Sequence, residues 1–242
     1  MKFSEAWLRE FVDPPISTRE LVHQLTMAGL EVDGFTSVAG ECSKVIVGEI
    51  IKAEIHPDAE KLLVCKVSSG HEELQVVCGA PNARVGIKVP FALVGAKLGK
   101  EKIKKAKLRG VDSFGMLCSE RELGISDLHE GLMELPLEAP VGEDIRHFLK
   151  LDDNIIDLDL TPNRSDCLGI VGLARETGLI NEIDVSYPED RFVTPIVEDI
   201  FPVELGDPQT CPRFVSRVLR NININALTPL GMKEKLRRSG KI

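Results

Sequence analysis

Between Lys97 and Arg109 the chain sets seven basic residues, Lys97, Lys100, Lys102, Lys104, Lys105, Lys107 and Arg109, against a single acid, Glu101. This window carries +6 in a protein of net charge −8, so the remainder carries −14. Cations at that density can neutralise the phosphates of a polyanion and release its counterions, whereas the acidic remainder argues against general nucleic-acid affinity. Read as a strand, Lys105, Lys107 and Arg109 share one face, and Lys104, Ala106 and Leu108 share the other. Ala106 and Leu108 are therefore expected to pack inward beneath an outward row of charge. Lysine also guards sheet edges against aggregation, so charge alone leaves two readings, a phosphate-tracking row and a solvated edge. Lys102, Lys104, Lys105, Lys107 and Arg109 are the candidate RNA contacts. Phe91 and Phe114 are the only aromatic residues between Val45 and Ser119, too few for a series of base-stacking platforms. Contact with the shape and backbone of a structured RNA is the better expectation.

Other reactive residue types are present without the spacing that chemistry needs. His56-Pro57-Asp58 has the composition of a turn in which Asp58 caps the following residues, and no Ser or Cys stands in a nucleophile-elbow setting to complete a dyad. Asp157 and Asp159 share a strand face with Asp153 nearby, which reads as a solvated strand edge rather than a metal site. The six cysteines, Cys42, Cys65, Cys78, Cys118, Cys167 and Cys211, form no C-x-x-C pair. Cys65, Cys78 and Cys118 lie in apolar strand-like text, where reduced thiols behave as small hydrophobes in a reducing compartment. No Walker loop, G-x-G-x-x-G or zinc pattern occurs. No catalytic, cofactor-binding or metal-ligating residue is expected within this chain.

The elements that must hold the cationic run follow from a change of period. Residues 45–119 alternate with period two and contain strand patterns near 45–55, 62–68, 74–79, 88–94 and 103–118, separated by turn text. Five short strands in about 75 residues suit a closed or nearly closed small barrel of the OB type, with half of a sandwich as the alternative. Before it, Ser4 is placed to cap a short helix carrying Trp7, Leu8 and Phe11. Ser17-Thr-Arg-Glu20 has capping-box spacing for a second helix that ends at Gly29, and Leu30–Gly34 alternates like an edge strand. After it, Ile155–Leu160 alternates apolar and acidic residues, and Asp166 is placed to cap a helix that closes at Gly178. The flanks complement each other, so the barrel is expected to interrupt one discontinuous domain.

The resulting expectation is an α+β, multidomain chain. Residues 1–39 and 151–190 form a discontinuous helix-rich docking domain, and residues 40–150 an inserted five-stranded OB-type barrel. Residues 191–210 form a linker, and 211–242 the start of a further α/β domain, with a strand from Phe214 to Leu219 and a helix from Thr228. A lone strand and helix cannot build a core, so the chain is expected to be the N-terminal part of a longer protein. The N-terminus has no basic start or apolar run of a signal peptide, and the longest apolar stretch, Val89–Val94, is too short to cross a bilayer. A cytoplasmic location without membrane contact is expected.

Three blocks carry a family resemblance: His56-Pro-Asp-Ala-Glu-Lys-Leu62, Val77-Cys-Gly-Ala-Pro-Asn82 and Leu108-Arg-Gly-Val-Asp-Ser-Phe-Gly-Met-Leu-Cys-Ser119. They resemble the signature blocks of the tRNA-binding OB module found in the β subunit of bacterial phenylalanyl-tRNA synthetase and appended to some methionyl-tRNA synthetases. The flanks favour the first host. Asp159-Leu-Thr-Pro-Asn-Arg-Ser-Asp-Cys-Leu168 with Gly172-Leu-Ala-Arg-Glu176 is similar to its post-module signature, and Cys211-Pro-Arg-Phe-Val-Ser-Arg-Val218 to the opening of its editing-associated domain. Ser165 and Gly169 depart from the residues common in the family. The resemblance implies a part of a cytoplasmic α2β2 enzyme that joins phenylalanine to tRNA with ATP and Mg²⁺. Catalysis would lie in the α subunit, editing and magnesium ligands beyond residue 242, and subunit docking and auxiliary tRNA binding in this chain. The alternatives are a stand-alone tRNA-binding or RNA-chaperone module and a protein-interaction scaffold.

Overall fold

The computed structural model describes residues 1–189 and 192–241. The expected boundary between residues 190 and 191, and the last residue of the 211–242 segment, lie outside the described residues. Met1–Ser186 and the helix that begins at Leu230 form one compact unit, and Tyr187–Pro229 a second. In chain order the strands are β1 (Lys2–Ser4), β2 (Glu31–Ser37), β3 (Cys42–His56), β4 (Ala59–Ser68), β5 (Glu73–Cys78), β6 (Lys88–Leu98), β7 (Glu101–Lys102), β8 (Ala106–Leu108), β9 (Val111–Ser113), β10 (Met116–Leu117) and β11 (Asn154–Asp159). The helices are α1 (Glu5–Arg9), α2 (Thr18–Met27), α3 (Ile145–Phe148), α4 (Ile170–Asn181) and α5 (Leu230–Arg238), with a 3₁₀ turn at Pro162–Cys167. No helix among the described residues is long and apolar enough to cross a membrane.

A small antiparallel sheet, ordered β1-β11-β2, draws its strands from both ends of the compact unit. Its core joins Phe3, Leu8, Leu21, Leu25 and Leu30 to Ile156, Leu158, Leu173 and Ala174. Strand β1 was not legible in the sequence, because three residues are too few to show a period. The helix starts nearby were legible. Ser4 accepts a hydrogen bond from Trp7 N at 3.0 Å, and Ser17 and Glu20 close the predicted capping box at the head of α2, a device worth about 1 kcal/mol. The start of α4 differs from expectation. Its cap is Gly169, and the Asp166 carboxylate turns to Arg164 and the Cys167 thiol instead. Gly178 does not close α4, which runs on to Asn181 before Glu182 adopts a left-handed conformation. A Cβ at Gly178 would stand 2.7 Å from Ile183 O, so that glycine permits a close backbone approach.

The larger sheet runs β10-β6-β3-β4-β5, with β7 also paired to β6. One face of β3 and β6 buries Val45, Val47, Ala92 and Ala96, and the other meets Ile50, Val67, Val76, Val89 and Phe91. Among the described residues no ladder joins β5 to β10. Three hydrogen bonds instead tie β5 to the segment leading into β10: Phe114 N to Gln75 O at 2.8 Å, Gln75 Nε2 to Asp112 O at 2.8 Å and Val77 N to Ser113 Oγ at 3.1 Å. The strand expected over 103–118 is broken into β8, β9 and β10. Arg109 (φ +43°) and Gly110 (φ +89°) reverse the chain, and Gly115 (φ +140°) then carries it over Phe91, where a Cβ would fall 2.5 Å from a ring carbon. An alternating pattern continues through such breaks, so periodicity alone merged three strands into one.

Among the described residues of Tyr187–Pro229 there is no helix or strand, and the expected strand Phe214–Leu219 is absent. Alternation marks a possible strand, but a strand needs a paired neighbour to satisfy its backbone. The helix expected from Thr228 begins at Leu230, and its last turn holds a buried guanidinium, Arg238, beside a partly buried one, Arg237. Arg238 Nη1 donates to Asp153 Oδ2 at 2.9 Å and Lys150 O at 3.1 Å, while Nη2 donates to Leu149 O at 2.9 Å and Glu234 Oε2 at 3.2 Å. Arg237 binds Glu234 at 2.8 Å and donates to Ile125 O and Val38 O. Two guanidiniums and two carboxylates thus form a neutral cluster that fastens α5 to the segments leading out of β2 and into β11.

Candidate nucleic-acid interface

The cationic run is divided between two short hairpins. Lys97 at the end of β6 lies opposite Lys102 in β7, and Leu98 opposite Glu101. Ile103 is pinned by hydrogen bonds to both Gly95 and Ala96, each 2.8 Å, and packs against the buried cluster around Val45. Its partial burial leaves the neighbouring Lys102 and Lys104 exposed on either side. Lys104 and Lys105 then lead into a two-stranded arm, in which Lys107 faces Asp112 and Leu108 faces Val111, with Arg109 and Gly110 at the tip. The structure places Lys102 in the first hairpin, Lys107 and Arg109 in the arm, and Lys104 and Lys105 on the link between them.

Two expectations about the arm need correction. Ala106 and Leu108 do not pack inward, and Leu108 is 41% exposed. The arm is a separate two-stranded sheet to which no third strand pairs among the described residues, so the face beneath the cations is not a core face. The five cations are also not equivalent. Lys105 Nζ lies 3.1 Å from Asp112 Oδ2 and 4.5 Å from the centre of the Phe114 ring. Asp112 stands beyond the window in which the sequence shows only one acid, and the turn at Arg109 folds it back onto the row. Among the described residues no ion pair engages Lys102, Lys104, Lys107 or Arg109, so these four present unneutralised charge to solvent. Neither aromatic ring is free for stacking: Phe91 is fully buried, and Lys105 lies over Phe114.

His56 was expected only as part of a turn capped by Asp58. The ring is 2% exposed and lies at a turn over residues 57–58, where Asp58 N donates to His56 Nδ1 at 3.0 Å. A backbone N–H can only donate, so Nδ1 accepts and the ring proton resides on Nε2. Nε2 then donates to Leu108 O at 3.1 Å, tying the end of β3 to the residue before the arm's tip. No spacing in the sequence connects residues 56 and 108.

Residues 45–144 match the family described as "Putative tRNA binding domain". Over 241 residues, 99% of its length, the chain is 59% identical to the phenylalanine–tRNA ligase β subunit of Hahella chejuensis, and over 240 residues 58% identical to that of Pseudomonas putida. Through nearly its whole length the chain is similar to phenylalanine–tRNA ligase β subunits. It spans about 30% of the length of those β subunits. A solved structure, the MetRS-related protein from Pyrococcus horikoshii, is similar to 41% of this chain and 85% of its own at 29% identity, with a TM-score of 0.32.

Most of the other chemistry-bearing residues of the chain are engaged within the fold. Cys42, Cys65, Cys78, Cys118 and Cys167 are buried free thiols, and Cys211 is exposed. Burial, reinforced by the neighbouring Cys78, pushes the Cys65 thiol up to about 11, and burial pushes Cys118 up to about 12. Both are protonated and inert near neutral pH. Asp166, Cys167 and Glu176 converge closely enough to hold an ion, but Arg164 Nη2 already lies 2.8 Å from Glu176 Oε2 and 3.1 Å from Cys167 Sγ. The Arg164 hydrogen bond holds the Asp166 carboxyl below its ordinary range, and a resident guanidinium supplies the charge a metal would bring. Asp153, Asp157 and Asp159 do not converge. Asp153 is buried and bonded to Ser4 Oγ, Ala6 N and Arg238, Asp157 pairs with the N-terminal amine and Lys2, and Asp159 is exposed.

Proposed function

We propose that the chain is the N-terminal region of the β subunit of a cytoplasmic phenylalanine–tRNA ligase, and that it supplies subunit docking and an auxiliary tRNA contact. The observation that carries this reading is an identity of 59% sustained through 99% of the chain. The similarity does not stop at residues 45–144, which favours a ligase subunit over a stand-alone RNA-binding module. In this reading the whole enzyme is an α2β2 tetramer that joins phenylalanine to tRNA with ATP and Mg²⁺, and the α subunit performs the chemistry. Residues 40–150 act as an OB-type barrel set within a docking domain formed by 1–39 and 151–190. Residues 191–210 act as a linker, and 211–242 open an editing-associated domain.

The tRNA contact is assigned to Lys102, Lys104, Lys107 and Arg109, with Lys105 secondary because Asp112 already neutralises it. Its support is the placement of four unpaired cations on a segment that matches a tRNA-binding family. About four neutralised phosphates give a log K against log salt slope of roughly −3 to −4. The full-length β chain is expected to co-purify with an α subunit and to support phenylalanylation; a folded β chain that never forms that complex overturns the ligase reading.

A further inference from the structure

The β8–β9 arm is short, exposed along β8 and paired with no strand of the larger sheet among the described residues, and an isolated hairpin of that size is marginally stable in water. Its base is well tied: Gln75 Nε2 donates to Asp112 O, and Ser113 Oγ accepts from Val77 N. Near its tip the connection is the His56 ring. That ring is buried, its orientation is set by Asp58 N at Nδ1, and its Nε2–H reaches Leu108 O. Leu108 lies between Lys107 and Arg109, two of the unpaired cations. A rigid imidazole thus joins the end of the long strand β3 to the peptide that sets where those two charges project.

We infer that His56 is a positioning residue for tRNA binding: by holding Leu108 O it fixes Lys107 and Arg109 in the geometry that engages two backbone phosphates. The inference deepens the proposed tRNA contact and rests on it. A tip free to pivot must lose that freedom on binding, so the latch lowers the ordering cost of the complex. The His side chain itself need not touch RNA. Its effect is carried by the hydrogen bond at Nε2, and the bond at Nδ1 serves to aim the ring.

The test uses the full chain in its native assembly, titrated with tRNA at several salt concentrations beside thermal unfolding. His56→Leu, which keeps bulk but removes both ring nitrogens, is expected to weaken binding about tenfold and to reduce the salt slope by about one to two units, the loss of one or two phosphate contacts. His56→Gln, whose side-chain amide reaches toward Leu108 O, is expected to recover most of the affinity. His56→Asn, which can bond Asp58 N but is too short to reach the arm, is expected to remain weak. If His56→Leu fails to fold, the Gln and Asn variants decide, because both are polar and differ in reach. Wild-type affinity and slope in a folded Asn or Leu variant overturn the latch. Lys107→Glu with Arg109→Glu separates the two claims: if that pair leaves affinity and slope unchanged, the underlying tRNA contact is wrong. If the pair weakens binding while His56→Asn does not, only the latch is wrong.

Discussion

The arm around Arg109 and the last turn of α5 both concentrate basic residues, yet the first leaves most of its charges in solvent and the second buries Arg238 among partners. Lys102, Lys104, Lys107 and Arg109 have no ion-pair partner among the described residues. Arg238 is 5% exposed and is bonded to two carboxylates and two backbone carbonyls. An unpaired surface cation costs the fold little and remains available to a polyanion. A buried cation must be matched within the protein, because desolvating an unmatched charge costs several kcal/mol. The same residue types are therefore held differently: on the arm they stay free for the proposed anionic partner, and in α5 they fix a helix.

The sharpest way to break this comparison is Arg238→Ala. It leaves Asp153 and Glu234 as buried carboxylates with one guanidinium fewer, and the expected loss is about 3–5 kcal/mol in urea unfolding. Next is the double reversal Lys107→Glu and Arg109→Glu. Its stability is expected to remain within about 0.5 kcal/mol of wild type, while tRNA affinity falls at least about tenfold and the salt slope loses roughly two units. If Arg238→Ala is neutral to stability while the arm reversal destabilises, the division of duties is wrong.

A smaller effect should follow pH. Burial raises the Glu234 carboxyl, but Arg237 and Arg238 more than offset it, so the net shift is downward from 4.5. A depressed carboxyl stabilises the fold fully above its unfolded value and loses that contribution as pH falls through the lower folded value. Stability of the α5 contact is therefore expected to decline below about pH 4.5, with the decline flattened in Glu234→Gln; an unchanged profile in that variant removes Glu234 as the titrating group. The smallest effect is expected at Lys105. Its pair with Asp112 is half exposed, so Lys105→Met should change stability by no more than about 1 kcal/mol and weaken tRNA binding less than Lys107→Met, measured under the same salt conditions.

Much of the local structure was legible because its causes are local. The capping box at Ser17 and Glu20, the alternation through β3 and the apolar stripe of α2 each lie within one element, and their residue types compete with few alternatives. The errors share a physical origin. Asp166 has the chemistry of a helix cap, but Arg164 offered its carboxylate a stronger partner. Gly178 reads as a helix stop, but its missing side chain admits Ile183 O. The alternation from 103 to 118 was real, although Arg109, Gly110 and Gly115 bend the chain within it. In the candidate interface, sequence identified the five cations as a group and read Ala106 and Leu108 as buried, which the isolated two-stranded arm does not allow.

By itself the sequence determined the position of the charge, the period of the strands and the family to which the chain is similar, because each is written in residues close together. Only the tertiary structure decided which cations stay free, since Asp112 reaches Lys105 by a turn and Asp153 reaches Arg238 across 85 residues. It also decided that His56 supports the arm rather than merely turning the chain. Those assignments depend on which distant donor and acceptor are left to satisfy one another once water is excluded, and that pairing exists only in the folded chain.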